Sequence, residues 1–316
     1  MGNHFKKYFL ILLPVCLGVL SVFVFANIFL DIFGLFGFRE NARVYGEERF
    51  SKYLMSFHYV PQHFEGMILG PSLSANLDPE PFPDENYFNA SIMGARMITI
   101  FSLATNILEN NGKIKKAIVC IHPYVTNDQG AEFTDFMQPD TYWKAFGSVN
   151  LLRVYGLGLI RDFNLWPKKY PKDQYKPNGS NQFESLFRVE DVPGRIAEEV
   201  TKVKASDFDI GANQRLAFKK LLALLQQKEI QTFVYFHPVP LPIYQAYQGQ
   251  LHEFWKDILT GAEPSKDDLF SFHNFNTSDF SFFSGDESNY IDHGHLSKKG
   301  QKILMEEIHN QWDPME

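Results

Sequence analysis

The sequence predicts an α/β fold: a three-layer sandwich on a mostly parallel five-stranded sheet, preceded by one transmembrane helix. Three observations lead there. Five short apolar runs rich in β-branched and aromatic residues recur along the chain, amphipathic stretches of helical period separate them, and an uncharged apolar segment opens the sequence. Strands that alternate with helices need crossover connections, which lay helices on both faces of a parallel sheet. A chain of 316 residues can bury one sizeable core of this kind.

The opening segment comes first. Lys6 and Lys7 precede an uncharged run over residues 8–30, and no face of that run reads as polar. About 20 apolar residues suffice to cross a bilayer as a helix. Positive charge ahead of the run favours a cytoplasmic N-terminus, with everything after it exported to the periplasm or the cell exterior. Two processing signals compete with this reading. Val24-Phe25-Ala26 has the form of a signal-peptidase site, and Leu13-Pro14-Val15-Cys16 that of a lipoprotein box with too large a residue before the cysteine. Apolar character that continues through Leu30 suits a retained anchor better. Residues 1–30 are thus expected as cytoplasmic tip and anchor, and 31–65, mixed in charge and without a clean period, as a juxtamembrane connector.

The main domain is expected over 66–316. Its strands are read at Met67–Leu69, Tyr87–Asn89, Ala117–Ile121, Thr232–Phe236 and Leu269–Phe272. Between them, Met97, Phe101, Ala104 and Leu108 share one helical face over 95–110, and Gly112 supplies the stop. Leu216, Leu221, Leu224 and Leu225 do the same over 213–228. Ser297 is a natural N-cap for a last helix that turns Ile303, Leu304 and Ile308 inward. The stretch 126–210, rich in Pro, Asn, Lys and aromatics, breaks this rhythm. It reads as an insertion over the active-site end of the sheet, either lining a glycan or acyl groove or forming a surface excursion.

A net charge of −7 argues against a nucleic-acid partner, which requires a basic face. Cys16 lies in the apolar opening segment and Cys120 in a core strand, so no disulfide is expected between them.

Two distant motifs carry chemistry. Ile68-Leu69-Gly70-Pro71-Ser72-Leu73-Ser74 places Ser72 at the end of a buried strand, where the chain must turn and expose a hydroxyl at the rim of the sheet. Asp292-His293-Gly294-His295 sets a carboxylate and an imidazole three residues apart, so that one short loop presents both. Ser72 as nucleophile, His295 as base and Asp292 as its orienter form the order of a hydrolytic or acyl-transfer triad. The plain alternatives are that Ser72 is a turn serine or helix cap, and that Asp292 and His295 pin a loop or join His293 in a metal site. No further ligand lies near in sequence, and no metal or cofactor is expected. His122 and His237, each ending a strand before a proline, read as structural histidines, or else as histidines that enter the site. Asn89 reads as a turn residue and Arg96 as a solvated surface arginine, or else an attractor for an anionic substrate.

The nucleophile block resembles that of the SGNH/GDSL hydrolase superfamily. Phe88-Asn89-Ala90-Ser91-Ile92-Met93-Gly94 resembles its second block and Asp292-His293-Gly294-His295 its closing Asp-x-x-His, with Gly300 placed as in the family's following helix. The resemblance implies an SGNH or flavodoxin-like sheet. It also implies an oxyanion hole from the backbone amides of Ser72 and Gly94, completed by an asparagine after the third strand. There this chain reads His122-Pro123-Tyr124-Val125-Thr126-Asn127-Asp128, so Asn127 fits only with a short insertion, and without it Tyr124 takes the place. Pro71 replaces the usual Asp beside the nucleophile. With its membrane segment, the chain is similar to the anchored partners of polytopic membrane-bound O-acyltransferases, which modify surface polysaccharides or teichoic acids. The implied function is serine-dependent acyl transfer to, or ester hydrolysis on, a cell-surface glycan. The implied partners are the bilayer, the glycan or acyl donor and a polytopic acyltransferase. The alternative is a non-catalytic scaffold or glycan-binding partner of such an enzyme.

Overall fold

The computed structural model describes residues 2–80, 82, 86–110, 112–128, 137–260 and 269–312. Five strands form one sheet: β1 Gly66–Leu69, β2 Tyr87–Asn89, β3 Lys116–Ile121, β4 Gln231–Phe236 and β5 Phe270–Asn274. Their order is β2-β1-β3-β4-β5, and every pairing is parallel, with Ile68 opposite Ile118, Ile118 opposite Phe233 and Phe233 opposite Ser271. The β-branched and aromatic runs read from the sequence are these strands. Their central members are buried on both faces, which is why they appear as continuous apolar runs and not as alternating ones.

The helices, in chain order, are α1 Gly2–Leu30, α2 Glu48–Met55, α3 Tyr59–His63, α4 Ser72–Ala75, α5 Met97–Glu109, α6 Pro123–Thr126, α7 Val149–Asp162, α8 Glu184–Phe187, α9 Val192–Lys202, α10 Ala212–Gln227, α11 Leu241–Leu259, α12 Ser281–Ser284 and α13 Lys298–Trp312. Phe233 and Phe236, three apart on β4, point to opposite faces of the sheet. Phe233 stacks on Trp312 of α13 and Phe236 on Trp255 of α11, so both faces carry helices and the sandwich has three layers. Ser297 caps α13, its hydroxyl accepting from the Gly300 N–H at 3.1 Å. Leu304 and Ile308 are buried from that helix. On α10, Leu221 and Leu225 point inward as expected, but Leu216 is exposed and Phe218 takes the inner face in its place.

The stretch expected as a connector is built into the domain. Phe33, Phe50, Leu54 and Val60 belong to the same core cluster as Ile68, Ile118 and Phe233. Helix α2 escaped a periodicity reading because Glu48, Ser51 and Lys52 are among the residues it buries. The insertion likewise packs into the domain. Leu151, Val154, Val192 and Ile196 from α7 and α9 join the core, while residues 129–136 lie outside the described residues.

Helix α1 contains one span, Leu10–Leu30, that is long and apolar enough to cross a membrane, with mean hydropathy 2.5. Asn27 gives its C-terminal end a polar handle that the sequence reading passed over. Its Nδ2 donates to the Phe146 carbonyl at 2.8 Å, and its Oδ1 accepts from the Tyr155 hydroxyl at 2.8 Å. Asp31, with φ of 42°, ends the helix. Its carboxylate gathers the N–H groups of Leu35 (2.6 Å), Phe36 (3.1 Å) and Phe38 (2.9 Å), so the chain leaves α1 through a tight turn.

Candidate active site

In this strand order the chain leaves β1 toward β2 on one side and later returns to β3 on the other. The carboxyl end of β1 is therefore a topological switch point, where open α/β sheets form clefts. Gly70 lets the chain turn there: a Cβ on it would lie 2.2 Å from Ser74 Oγ and 2.7 Å from Cys120 Cβ. Pro71 follows in extended conformation as the N-cap of α4, a position that needs no N–H, and Ser72 opens the helix.

The loop after β5 and α12 supplies the other groups. Asp292 Oδ1 accepts the N–H groups of Gly294 at 2.8 Å and His295 at 2.7 Å, and Oδ2 meets His295 Nδ1 at 2.7 Å. His295 Nε2 then lies 2.9 Å from Ser72 Oγ, across 223 residues of sequence. Burial raises the Asp292 pKa. The hydrogen bond and charge of His295, with the two backbone N–H groups, outweigh that and hold it at about 2. An ionised carboxylate only accepts, so Nδ1 carries the ring proton and Nε2 of the neutral imidazole is left to accept from the Ser72 hydroxyl.

Several contacts hold this loop in place. His237 donates from Nε2 to the Gly294 carbonyl at 3.0 Å, Asn76 Nδ2 donates to the Leu296 carbonyl at 2.8 Å, and Ile291 N–H donates to the His295 carbonyl at 2.9 Å. From the insertion, Phe183 sets its ring edge-on to the His295 imidazole at 5.5 Å. Burial pushes His237 down to about 4, so it acts as a neutral donor. His122, pushed down to about 3 by burial and by its histidine neighbours, caps α6 by accepting the Tyr124 N–H at Nδ1. Both are structural histidines. His293 lies 4.0 Å from Glu199. Among the described residues, no group of three or more His, Cys, Asp or Glu side chains is arranged to hold a metal ion.

Gly94 sits in the turn after β2 with φ of 71°, a left-handed conformation that favours glycine. Among the described residues its N–H has no protein acceptor. The turn is held from α2. Lys52 Nζ donates to the Ser91 carbonyl at 2.6 Å, Glu48 Oε2 accepts the Met93 N–H at 3.1 Å, and Arg49 donates to the Met93 carbonyl at 3.0 Å. Asn89 adds a second tie, donating to the carbonyls of Ser74 and Leu77 at 2.8 Å each and accepting from the Ser91 N–H at 3.0 Å. Sequence reasoning missed α2 entirely. Burial lowers the Lys52 pKa while Glu48, 3.1 Å away, opposes the shift. Lys52→Met strands the buried Glu48 carboxylate, so chemical denaturation in detergent should show a loss of about 3–5 kcal/mol. A loss within about 0.5 kcal/mol, as at an ordinary surface site, would mean that the pair does not hold the turn.

Asn127 lines the same cleft, and its side chain is engaged by neighbours there. Its Oδ1 and its main-chain carbonyl accept from Arg96, and its Nδ2 faces the Asp207 carbonyl at 3.4 Å. Arg96, expected at the surface, is buried by this contact and lies 5.0 Å over the Tyr124 ring. The Tyr124 hydroxyl in turn lies 3.7 Å from where a Cβ on Gly94 would stand. The structure thus joins Ser72, His295 and Asp292 by hydrogen bonds, and Ser72, His295, Tyr124 and Asn127 line one cleft, the Asn127 side chain being bound by Arg96. Cys120 is buried and its thiol pushed up to about 12, which leaves it unreactive, and both cysteines are free.

A cleft of about 510 Å³ opens on Ser72 and His295. Val239, Ile243 and Leu251 form one apolar wall, and the insertion contributes Val203 and Phe208 beside Glu199 and Asp207. The groups present suit nucleophilic attack on a carbonyl: a hydroxyl hydrogen-bonded to an imidazole, a carboxylate behind it, and backbone N–H groups at the turn beside them.

No protein-family model matches the chain, and no curated protein matches it. Among solved structures it is similar to a Streptococcus pneumonia protein assigned as a platelet activating factor. The match has 9% identity and a TM-score of 0.45, and covers 84% of this chain and 91% of that one.

Proposed function

We propose that the chain is a membrane-anchored SGNH-like enzyme that transfers an acyl group to, or removes one from, a cell-surface polysaccharide through an acyl-serine intermediate. The observation that carries this reading is the continuous hydrogen-bonded line from Asp292 through His295 to Ser72, at 2.7 and 2.9 Å. His295 Nε2 takes the hydroxyl proton as Ser72 Oγ attacks an ester or thioester carbonyl. The oxyanion rests on the Ser72 and Gly94 amides, with the Tyr124 hydroxyl as the third donor in place of the Asn127 amide. His295 returns the proton to the leaving group, and the acyl-serine passes its acyl group to a sugar hydroxyl or to water. The apolar wall of the cleft accommodates the acyl group. Helix α1 holds the domain on the outer side of the cytoplasmic membrane, where a polytopic acyltransferase is the fitting acyl donor.

The test is glycan acylation in cells that carry Ser72→Ala at normal protein level and membrane location. Loss of the modification supports the enzyme. Wild-type acylation removes it and leaves a scaffold or glycan-binding role beside the acyltransferase. Release of acetate from acetylated glycan by the purified chain without an acceptor marks the esterase branch.

A further inference from the structure

Helix α7 is apolar on two opposite faces. Leu151 and Val154 are buried against the domain, whereas Val149, Leu152, Leu159 and Phe163 are 81%, 55%, 57% and 70% exposed. At about 100° per residue those four fall in one stripe roughly 40–80° wide. The charged side chains of α7 lie off it: Arg153 pairs with Glu47, Asp162 with Arg43, and Arg161 is buried against the Tyr45 carbonyl and Gln174. The stripe runs on into Leu165 and Trp166, 58% and 59% exposed, and the chain then presents Lys168 and Lys169. An outward apolar stripe that ends in tryptophan and lysine has the chemistry of a helix lying in a membrane interface.

The place of α7 in the fold says what covers it. The turn ahead of it packs on α1: a Cβ on Gly147 would lie 3.4 Å from the Phe23 ring, and Asn27 binds both Phe146 and Tyr155. Phe23 precedes Leu30, the end of the apolar span, by seven residues, or about 10 Å of helix. If α1 crosses the membrane, the start of α7 is at the level of the bilayer surface.

We propose that the outer stripe of α7 rests in the lipid interface of the bilayer that α1 crosses. The chain then has a second, in-plane membrane contact that sets the height and orientation of the Ser72 cleft. This rests on α1 being an anchor and is independent of the chemistry at Ser72.

The test uses the full chain in vesicles of phosphatidylcholine and phosphatidylglycerol, with Cys16→Ser and a nitroxide at Leu159→Cys. Cys120 is buried and escapes labelling. Val22→Cys on α1 and Leu216→Cys on α10, both exposed in the structure, report the lipid and water limits. The Leu159 label should be several-fold more accessible to oxygen, relative to a nickel chelate, than the Leu216 label, approaching the Val22 value; Leu152→Cys should agree. A Leu159 label as open to nickel as Leu216, beside a lipid-exposed Val22 label, overturns the proposal. That includes the case where protection appears only in native membranes, which would assign the face to a protein partner. A water-exposed Val22 label removes the anchor and this proposal with it, whatever the reactivity of Ser72.

Discussion

Replacing His295 by alanine should lower the acyl-transfer rate constant by a factor on the order of 10⁶ while the protein stays folded. Among the described residues, no other side-chain base is hydrogen-bonded to Ser72. Ser72 Oγ meets the His295 ring at 2.9 Å, whereas the neighbouring His122 and His237 are spent on backbone groups and held neutral by burial. Without the imidazole, the serine must attack as a hydroxyl that has nowhere to send its proton. Ser72→Ala should give the same loss, and the double variant no more than either single one, because the two act as a unit. Single-turnover kinetics on an activated ester measure this. Losses that multiply in the double variant would mean that the two residues work separately.

Asp292→Asn should cost about 10⁴-fold in kcat with the loop geometry preserved. The carboxylate has two jobs that separate cleanly. Oδ1 holds the loop through the N–H groups of Gly294 and His295, and an amide oxygen can still accept those bonds. Oδ2 fixes the proton on His295 Nδ1, and an amide nitrogen there would instead donate, driving the ring to the wrong tautomer. Thermal stability near neutral pH should therefore fall far less than activity; a parallel collapse of both would show a structural role alone. The wild-type carboxyl, held at about 2, has a depressed folded-state pKa. Its contribution to stability is fully present above the ordinary carboxylate range of about 4 and lost only as the pH falls from there through 2. It stays ionised across any neutral assay.

The sheet was legible because parallel strands buried on both faces leave continuous runs, such as Ile118-Val119-Cys120-Ile121 and Phe233-Val234-Tyr235-Phe236. The approach of His295 to Ser72 was legible because one short loop presents Asp292 and His295 together and Ser72 ends a buried strand. What stayed hidden is polar and local. Glu48, Arg49 and Lys52 grip the Gly94 turn from an eight-residue helix that buries Glu48 and Lys52 among its apolar residues, a pattern that hydropathy reads as connector. Arg96 is buried because its guanidinium has Asn127 to bind and Tyr124 to cover, partners that only the fold brings together. The same contact engages the Asn127 side chain, a pairing its spacing after β3 does not reveal. Helix α7 shows a third kind of concealment, since two apolar faces blur the single stripe that a period search seeks.

The central claim is that Ser72 is a nucleophile activated through His295. Its most direct test is covalent capture of the purified chain by a fluorophosphonate probe, with the modified residue located by peptide mass spectrometry. The account predicts one phosphonyl group per chain, carried by Ser72, and at least a thousandfold slower capture in His295→Ala. A wild-type Ser72 that remains unmodified, or is labelled as fast without His295 as with it, would contradict the account.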